Sequence, residues 1–227
     1  MGLDDVSVTI KPGELTVVLG PSGSGKTTLL RAISMLDLSD AGTIDIDGDI
    51  YQGTKRLVTS PEIYSRMGVV FQNLALWPHL TLRENIALPL RLKKGITDDP
   101  YMAQLIETFG MKDFVDRYPR QVSGGEKQRA AIVRALTLRP PYLLLDEITS
   151  ALDVEQVVVV LHELERLKRE GVGILLITHL IGFARRAADR FIFLIKGRIV
   201  EEGPTDQLEK PQSPRLQEFL RHLERAT

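Results

Sequence analysis

The segment Gly20–Thr28, GPSGSGKTT, follows the apolar run Thr16–Leu19 and constrains the fold more than any other part of the chain. Its spacing, G-x-x-x-x-G-K-T, is the known pattern of a phosphate-binding loop that joins a buried strand to a helix. The glycines permit a left-handed backbone, so successive N–H groups can face one anion. The helix that begins near Lys26 directs its positive end to the same place. A loop of this kind predicts an α/β fold.

The residue types within the loop divide between phosphate binding and metal binding. Lys26 supplies a positive charge for the β- and γ-phosphates, and Thr27 offers a hydroxyl to Mg²⁺. A glycine-rich turn without a ligand is the alternative, and a chance match to this pattern arises at about the one per cent level in a chain of this length. The predicted phosphate-binding residues are Gly20, Ser22, Gly23, Ser24, Gly25, Lys26, Thr27 and Thr28.

The composition is that of an ordinary globular protein of 227 residues, of which 43% are hydrophobic. With 29 basic and 30 acidic residues the formal net charge is −1, so nothing indicates a nucleic-acid partner. The sequence has no cysteine, which excludes disulfides and zinc–thiolate sites. Its longest apolar runs are far shorter than a membrane span, so a role at a membrane would require a partner protein.

The order of apolar and polar segments predicts an alternation of strands and helices. Tyr142–Leu145 and Ile174–Ile177 are short, continuous apolar runs, which are typical of buried parallel strands. Val6–Ile10 and Thr43–Ile46 alternate between apolar and polar residues, and the second of them leads into the turn at Asp47-Gly48. We therefore predict a mostly parallel sheet flanked by helices, with an antiparallel β portion near the N-terminus.

The middle of the chain has the pattern of a helical insert. Thr81 and Glu84 match a capping box, and Asp99-Pro100 provides an N-cap followed by a first-turn proline. Between Gln72 and the next core segment, helical periodicity replaces the short strands. The predicted domains are a nucleotide-binding core formed by residues 1–72 and 119–227 and an α-helical subdomain formed by residues 73–118.

Polar residues follow three of the predicted core strands. Asp146 and Glu147 end the segment YLLLDE, His179 ends ILLITH, and Gln72 ends the segment that precedes the insert. Ligands of α/β sheets bind at the carboxyl ends of the strands. Beside a phosphate loop, Asp146 can hold Mg²⁺ directly or through water, and Glu147 can polarise an attacking water. A charged turn without function is the alternative. The predicted catalytic residues are Glu147, His179 and Gln72, and the predicted Mg²⁺ ligands are Thr27, Gln72 and Asp146.

The segment Val122–Arg129, VSGGEKQR, has two interpretations. Ser123 and Glu126 match a capping box for a helix that continues until Pro140. Capping alone does not require Gly124-Gly125, which weaken a helix by about 1 kcal/mol each relative to alanine. This cost is explained if an anion binds to the N–H groups of the two glycines. Since one phosphate chain cannot obviously occupy two distant helix N-termini, we predict a dimer in which each chain's second anion site faces the other's phosphate loop.

Taken together, these segments resemble the ATP-binding cassette (ABC) ATPases. The phosphate loop, Gln72, VSGGEKQR, YLLLDE, the SALD segment Ser150–Asp153 and His179 occur in the order and spacing of that family over nearly the whole chain. The resemblance implies a core shared with other phosphate-loop ATPases and a head-to-tail dimer around two ATP molecules. It also implies that Glu147 is the general base and that Gln72 and His179 sense the γ-phosphate. The partner chain would contact the same phosphate through Ser123, Gly124 and Gly125. Asp153 would lie in an intersubunit loop.

The segments THLIGFARRAADRFIFLIKGRIVEEG and KPQSPRLQEFL look most like the ATPase subunits of bacterial polar amino-acid importers. This implies a peripheral protein on the cytoplasmic face of the membrane that docks on permease subunits through its helical subdomain. An extracytoplasmic solute-binding protein would be an indirect partner. The alternatives are an ABC ATPase of an export or lipoprotein-release system, a soluble ABC ATPase without a transport role, and a binding module that hardly hydrolyses ATP. The binding module would need the loss of Glu147 or His179, and both are present.

The chain departs from the usual family pattern at several positions. Val122 stands where leucine is common, Ile148 replaces the proline that usually follows the catalytic glutamate, and Leu180 replaces an acid after the histidine. None of these changes removes a catalytic group. An aromatic residue that stacks on adenine usually lies upstream of a segment such as LDDVSVTI, and this sequence begins at Met1-Gly2. We therefore expect the nucleotide to bind mainly through its phosphates.

Overall fold

The computed structural model describes residues 2–37, 39–52 and 63–226. Its strands are β1 Leu15–Leu19, β2 Thr43–Ile46, β3 Asp49–Gln52, β4 Met67–Val70, β5 Tyr142–Asp146, β6 Gly173–Ile177, β7 Arg190–Ile195 and β8 Arg198–Pro204. Its α-helices are α1 Lys26–Ile33, α2 Ile63–Arg66, α3 Leu82–Lys94, α4 Pro100–Thr108, α5 Gly124–Leu136, α6 Val154–Arg169, α7 Ile181–Ala187 and α8 Pro214–Ala226.

Six strands form the main sheet in the order β4-β5-β6-β1-β7-β8. The first five strands run parallel to one another, and β8 is antiparallel to β7 at the edge. The register aligns the carboxyl ends of four neighbouring strands, with Val70 opposite Leu145, Asp146 opposite Ile177, and Ile177 opposite Val18. The loops that leave β4, β5, β6 and β1 therefore emerge at one edge of the sheet, as the predicted α/β core requires.

The core lies on both faces of this sheet because its central strands are apolar along their whole length. All five residues of β1 and of β6 are buried, which is typical of parallel strands covered on two sides. One face packs against α5, α6 and α7, through side chains such as Val133, Leu164 and Phe183. The other face packs against α1 and the N-terminal segment. The central strands, and the loops that follow them, are thus fixed by packing on both sides.

The predicted antiparallel portion is confirmed in β2 and β3 but not at Val6–Ile10. Strands β2 and β3 form a separate hairpin, and the positive φ of Asp47 and Gly48 at its turn suits a two-residue hairpin loop. Residues 6–10 belong to no strand, although Val6, Val8 and Ile10 pack on the core. Alternation in the sequence predicted which side chains are buried there, whereas a strand also needs a neighbour with matching backbone groups.

The helical insert contains the two capping motifs that the sequence predicts. Thr81 and Glu84 form a complete capping box at the start of α3, and the Asp99 side chain accepts hydrogen bonds from the first turn of α4. Helix α3 packs against α5, so the insert rests on the core. The limits of the insert, residues 73–118, stay a prediction.

Helix α5 holds the first residues of the predicted insert. The guanidinium of Arg134 donates to the carbonyl oxygens of Leu74, at 2.7 Å, and Ala75, at 2.6 Å. Both of these residues have a left-handed backbone, with φ of 57° and 43°. The helix ends at Leu136, one turn before the predicted stop at Pro140. The position of the segment after Gln72 thus depends on a contact from the helix that begins at Gly124.

Candidate functional site

The predicted phosphate loop has the backbone conformation that its glycines permit. Gly20, Gly23 and Gly25 have φ of 152°, 75° and 106°, and Gly25 precedes the first turn of α1. A Cβ on Gly20 would lie 2.3 Å from the carbonyl oxygen of Leu194 in β7, so no larger residue fits there. A backbone hydrogen bond also holds the loop, because the N–H of Gly197 donates to the carbonyl oxygen of Ser24 at 2.8 Å. The loop is therefore held in shape by the neighbouring hairpin.

Lys26 lies inside this loop with only 7% of its surface exposed. Its ammonium donates to the carbonyl oxygens of Gly20, at 2.7 Å, and Pro21, at 3.1 Å. Burial lowers the pKa of the lysine, and the nearby carboxylates of Glu147 and Asp146 act in the opposite direction. The positive charge is thus placed beside two acids at the mouth of the loop.

The phosphate loop meets the tip of β5 through a direct side-chain contact. The hydroxyl of Thr27 donates to Oδ2 of Asp146 at 2.8 Å, although the two residues are 119 positions apart in the sequence. Asp146 is 2% exposed. Burial raises the pKa of the Asp146 carboxyl, the hydrogen bond from Thr27 opposes this shift, and the charge of Glu147 adds to it. An acid in this position is costly unless a cation accompanies it.

Asp146→Asn should therefore raise the thermal stability of the nucleotide-free chain at neutral pH. Because the pKa of Asp146 is higher in the folded chain than in the unfolded chain, the ionised carboxylate destabilises the fold above that pKa, and this penalty disappears below the unfolded value. Each kcal/mol relieved corresponds to about 2–4 °C in Tm for a chain of this size. Calorimetry in a chelating buffer should give a Tm difference between Asp146→Asn and wild type that is largest at pH 8 and shrinks towards pH 4. A Tm difference independent of pH would contradict a raised pKa of Asp146 in the folded chain.

The three predicted catalytic residues meet at Glu147. Glu147 follows the tip of β5, and its Oε1 lies 2.8 Å from Nε2 of His179, which is exposed beyond the end of β6. The Glu147 carboxylate also accepts a longer hydrogen bond of 3.4 Å from Nε2 of Gln72, which lies beyond the end of β4. The carboxyl edges of three neighbouring strands thus direct an acid, an imidazole and an amide to one place beside Asp146.

The backbone of Glu147 is held in an unusual conformation. Its φ is 51°, in the left-handed region that non-glycine residues adopt at a cost of about 1–3 kcal/mol. Its N–H donates to the carbonyl oxygen of Ile177 at 3.0 Å. Its own carbonyl oxygen accepts from the side chain of Gln128 at 3.2 Å. Gln128 is not among the predicted site residues, although a glutamine one turn into a helix that packs on the core is a signal of a buried polar contact.

The second predicted group, Ser123 with its two glycines, lies elsewhere on the chain. Ser123 is exposed and forms a complete capping box with Glu126, so the predicted capping of this helix is confirmed. Gly124 is also exposed. Gly125 is buried, and a Cβ there would lie 3.0 Å from the carbonyl oxygen of Ala151. Within the described residues, no hydrogen bond joins this group to the chain's own phosphate loop. Its glycines are thus explained in part by close packing on residues 151–156.

Asp153 caps the next helix. Its side chain accepts a hydrogen bond of 2.8 Å from the N–H of Gln156 in the first turn of α6. Asp153 itself is exposed. The end of the SALD segment therefore has a local structural role in addition to the predicted place of Asp153 in an intersubunit loop. Nearby, Ile148, which stands in place of a proline, is buried in the core, and Leu180 is partly exposed beside His179.

A family model described as "ABC transporter" matches residues 3–150. Among curated proteins, the glutamate transport ATP-binding protein GluA of Corynebacterium efficiens is 42% identical over 96% of this chain and 91% of that protein. The L-cystine transport system ATP-binding protein TcyN of Escherichia coli is 42% identical over 96% of this chain and 90% of its own length. The glutamine transport ATP-binding protein GlnQ of Escherichia coli is 40% identical over 97% of this chain and 93% of its own length.

Solved structures agree with this sequence similarity. A dimeric ATP-binding cassette in a post-hydrolysis state, bound to ADP and Pi, has a TM-score of 0.79 and 33% identity, and the match covers 89% of this chain and 90% of that one. A second structure, the ATP-binding subunit of an ABC transporter, has a TM-score of 0.82 and 29% identity over 98% and 92% of the two chains. The predicted fold class and the predicted ATPase activity are thereby confirmed. The chain belongs to the ABC transporter family and is one of its ATP-hydrolysing cassettes.

Proposed function

We propose that this ATPase is the nucleotide-binding subunit of an importer for polar amino acids. The hydrolytic part of the proposal rests on the contact of Thr27 with Asp146 and of Glu147 with His179 and Gln72 at the mouth of the phosphate loop. The curated relatives described above carry the names of glutamate, cystine and glutamine transport systems, which supports polar amino acids as the cargo class.

In this proposal the loop Gly20–Thr28 binds the phosphates of ATP. Its glycines hold the backbone in the left-handed conformations that turn N–H groups inwards, and the first turn of α1 adds further donors. Lys26 exchanges its two bonds to loop carbonyl oxygens for bonds to the β- and γ-phosphates.

The residues at the tip of β5 fit Mg²⁺. Thr27 and Asp146 offer oxygen ligands that already lie 2.8 Å apart, and Gln72 adds an amide. In the part of the chain that the structure describes, no group of three or more histidine or acidic side chains could hold a metal ion. This agrees with a cation that takes most of its ligands from phosphates and water. When bound, Mg²⁺ neutralises charge that develops on the phosphates during hydrolysis.

Glu147 acts as the general base. Its carboxylate is half-buried next to Asp146 and is oriented by His179 and Gln72. A carboxylate in this position can accept a proton from the water that attacks the γ-phosphate, and the imidazole and the amide then respond to the presence of that phosphate. The exposed N-terminus of α5 completes the site from a partner chain in a head-to-tail dimer, with Ser123, Gly124 and Gly125 facing the γ-phosphate and Asp153 in the adjoining intersubunit loop. The dimeric state of the solved cassette bound to ADP and Pi supports dimerisation in general.

The membrane partners are permease subunits that dock on the helical subdomain at the cytoplasmic face. No helix in the described segments is long and apolar enough to cross a membrane. The insert is joined to the site through the segment after Gln72, which Arg134 of α5 holds by two carbonyl contacts. A movement of α5 during dimer closure would therefore shift the docking surface and the residue that senses the phosphate together.

Deletion of the gene in its native host should reduce the uptake of radiolabelled polar amino acids and leave sugar uptake unchanged. Glutamate, glutamine, cystine and arginine would be tested separately, and the gene would be restored as wild type or as Glu147→Gln. We expect the wild type alone to restore uptake. Normal uptake of all four amino acids by the deletion strain, with a defect for another solute class, would contradict the cargo assignment.

A further inference from the structure

A buried side-chain hydrogen bond from Gln128 joins helix α5 to the backbone of the proposed general base. Gln128 is 2% exposed and lies one turn into α5, after the N-terminus that carries Ser123. Its Nε2 donates to the carbonyl oxygen of Glu147 at 3.2 Å, and its Oε1 accepts from the N–H of Ala151 at 3.2 Å. Both polar ends of the amide are therefore used, as burial of a polar group requires.

The Glu147 end of this bridge supports a strained residue. The left-handed φ of Glu147 persists only if its surroundings determine it. The N–H is fixed by Ile177 of β6, and the carbonyl oxygen accepts from the Ser150 N–H at 3.3 Å as well as from Gln128. Since the orientation of this peptide unit sets the direction of the Glu147 side chain, loss of the Gln128 bond would leave one long hydrogen bond to hold it.

The Ala151 end of the bridge leads to the proposed intersubunit loop. Ala151 lies two residues before Asp153, and a Cβ on Gly125 would lie only 3.0 Å from its carbonyl oxygen. The first turn of α5, the residues around 151 and the backbone of Glu147 thus form one packed unit. A displacement of the α5 N-terminus would move Glu147 through Gln128.

We infer that Gln128 is a positioning residue that aligns Glu147 for hydrolysis and links its alignment to the α5 N-terminus that meets the partner's nucleotide. The inference rests on the proposed role of Glu147. A residue with only a structural role would affect the stability of the fold, whereas a positioning residue affects the chemical step through Glu147. Displacement of a reacting group by about 1 Å can cost about a hundredfold in rate.

The test uses Gln128→Met, which keeps the length of the side chain and removes both hydrogen bonds. We expect kcat for ATP hydrolysis to fall by about 10- to 100-fold, while the affinity for Mg·ATP, measured by fluorescence, changes by less than about twofold. Gln217→Met is the matched control, because the Gln217 amide also donates to a carbonyl oxygen, that of Pro211 at 2.8 Å, on the distant helix α8. This control should retain wild-type kcat.

A double-mutant cycle separates positioning from stability. If Gln128 acts through Glu147, Gln128→Met should cause little further loss in single-turnover hydrolysis when Glu147→Gln is already present. An equal fractional loss in both backgrounds would overturn the inference. Gln128→Glu provides a second variant if the methionine protein does not fold, since it keeps the acceptor for Ala151 and loses the donor to Glu147; it should show the same loss of kcat.

The outcomes also separate this inference from the proposed function. Unchanged kcat for Glu147→Gln would refute the general base itself. A strong defect for Glu147→Gln, combined with kcat within about twofold of wild type for both Gln128 variants, would refute only the positioning role. A lower Tm for the Gln128 variants, with normal kcat for the folded protein, would also refute the positioning role and leave the general base unaffected.

Discussion

Glu147→Gln should reduce ATP hydrolysis by about 10² to 10⁴-fold, which is the usual effect of losing a positioned general base. The amide keeps the size of the side chain and can still accept a hydrogen bond from His179, so the fold and the binding of Mg·ATP should be retained. Because the cycle would stop after binding, the variant should accumulate as an ATP-bound dimer. Size-exclusion chromatography with ATP and a steady-state assay for phosphate release would measure both effects.

Glu218→Gln is a suitable control for this variant, since Glu218 is an exposed acid on α8 that pairs with Arg215. It should hydrolyse ATP at the wild-type rate and remain in the same oligomeric state as wild type. Turnover of Glu147→Gln close to that of the control would show that another group takes the proton from the attacking water.

Ser123→Asp should keep the chain folded and abolish ATP-dependent dimer closure. Aspartate is a good N-cap and its charge suits a helix N-terminus, so Tm should stay close to that of Ser123→Thr, the control that keeps the hydroxyl. Facing a γ-phosphate, the same carboxylate would add a like-charge contact that costs several kcal/mol, or more than a hundredfold in affinity. Normal closure of this variant would mean that Ser123 serves only as a cap.

A heterodimer tests the predicted pairing across the dimer. In a Glu147→Gln background, which retains ATP, one chain would carry Ser123→Asp and the other Lys26→Ala. One composite site then has both defects and the other has none, so one ATP should be trapped per heterodimer, while each single-variant homodimer should trap none. Trapping by the homodimers, or its absence from the heterodimer, would contradict a head-to-tail arrangement.

The sequence predicted those parts of the site that depend on strand ends. Continuous apolar runs identify buried parallel strands, and the residue after such a run must emerge at the carboxyl edge of the sheet. For this reason Gln72, Asp146, Glu147 and His179 could be assigned to one edge before any contact was known. The contact of Thr27 with Asp146 follows from the same geometry, because β1 lies beside β6 and β6 beside β5.

Other features depend on partners that no local pattern specifies. Val6–Ile10 has the alternation of a strand, but pairing needs a neighbour of matching register, and alternation does not identify one. The bridge made by Gln128 joins backbone groups 19 and 23 positions away in the sequence. Helical periodicity predicts which face a glutamine occupies, and only the fold determines which carbonyl oxygen and which N–H meet it.

The two bonds between Lys26 and the carbonyl oxygens of its own loop have a consequence for the kinetics of nucleotide exchange. The ammonium is buried against these two oxygens, so binding to a phosphate exchanges hydrogen bonds and adds little further desolvation of the lysine. On release, the lysine returns to the carbonyl oxygens and need not regain bulk water. This exchange of hydrogen bonds within the loop should keep the barrier to product departure at the lysine low.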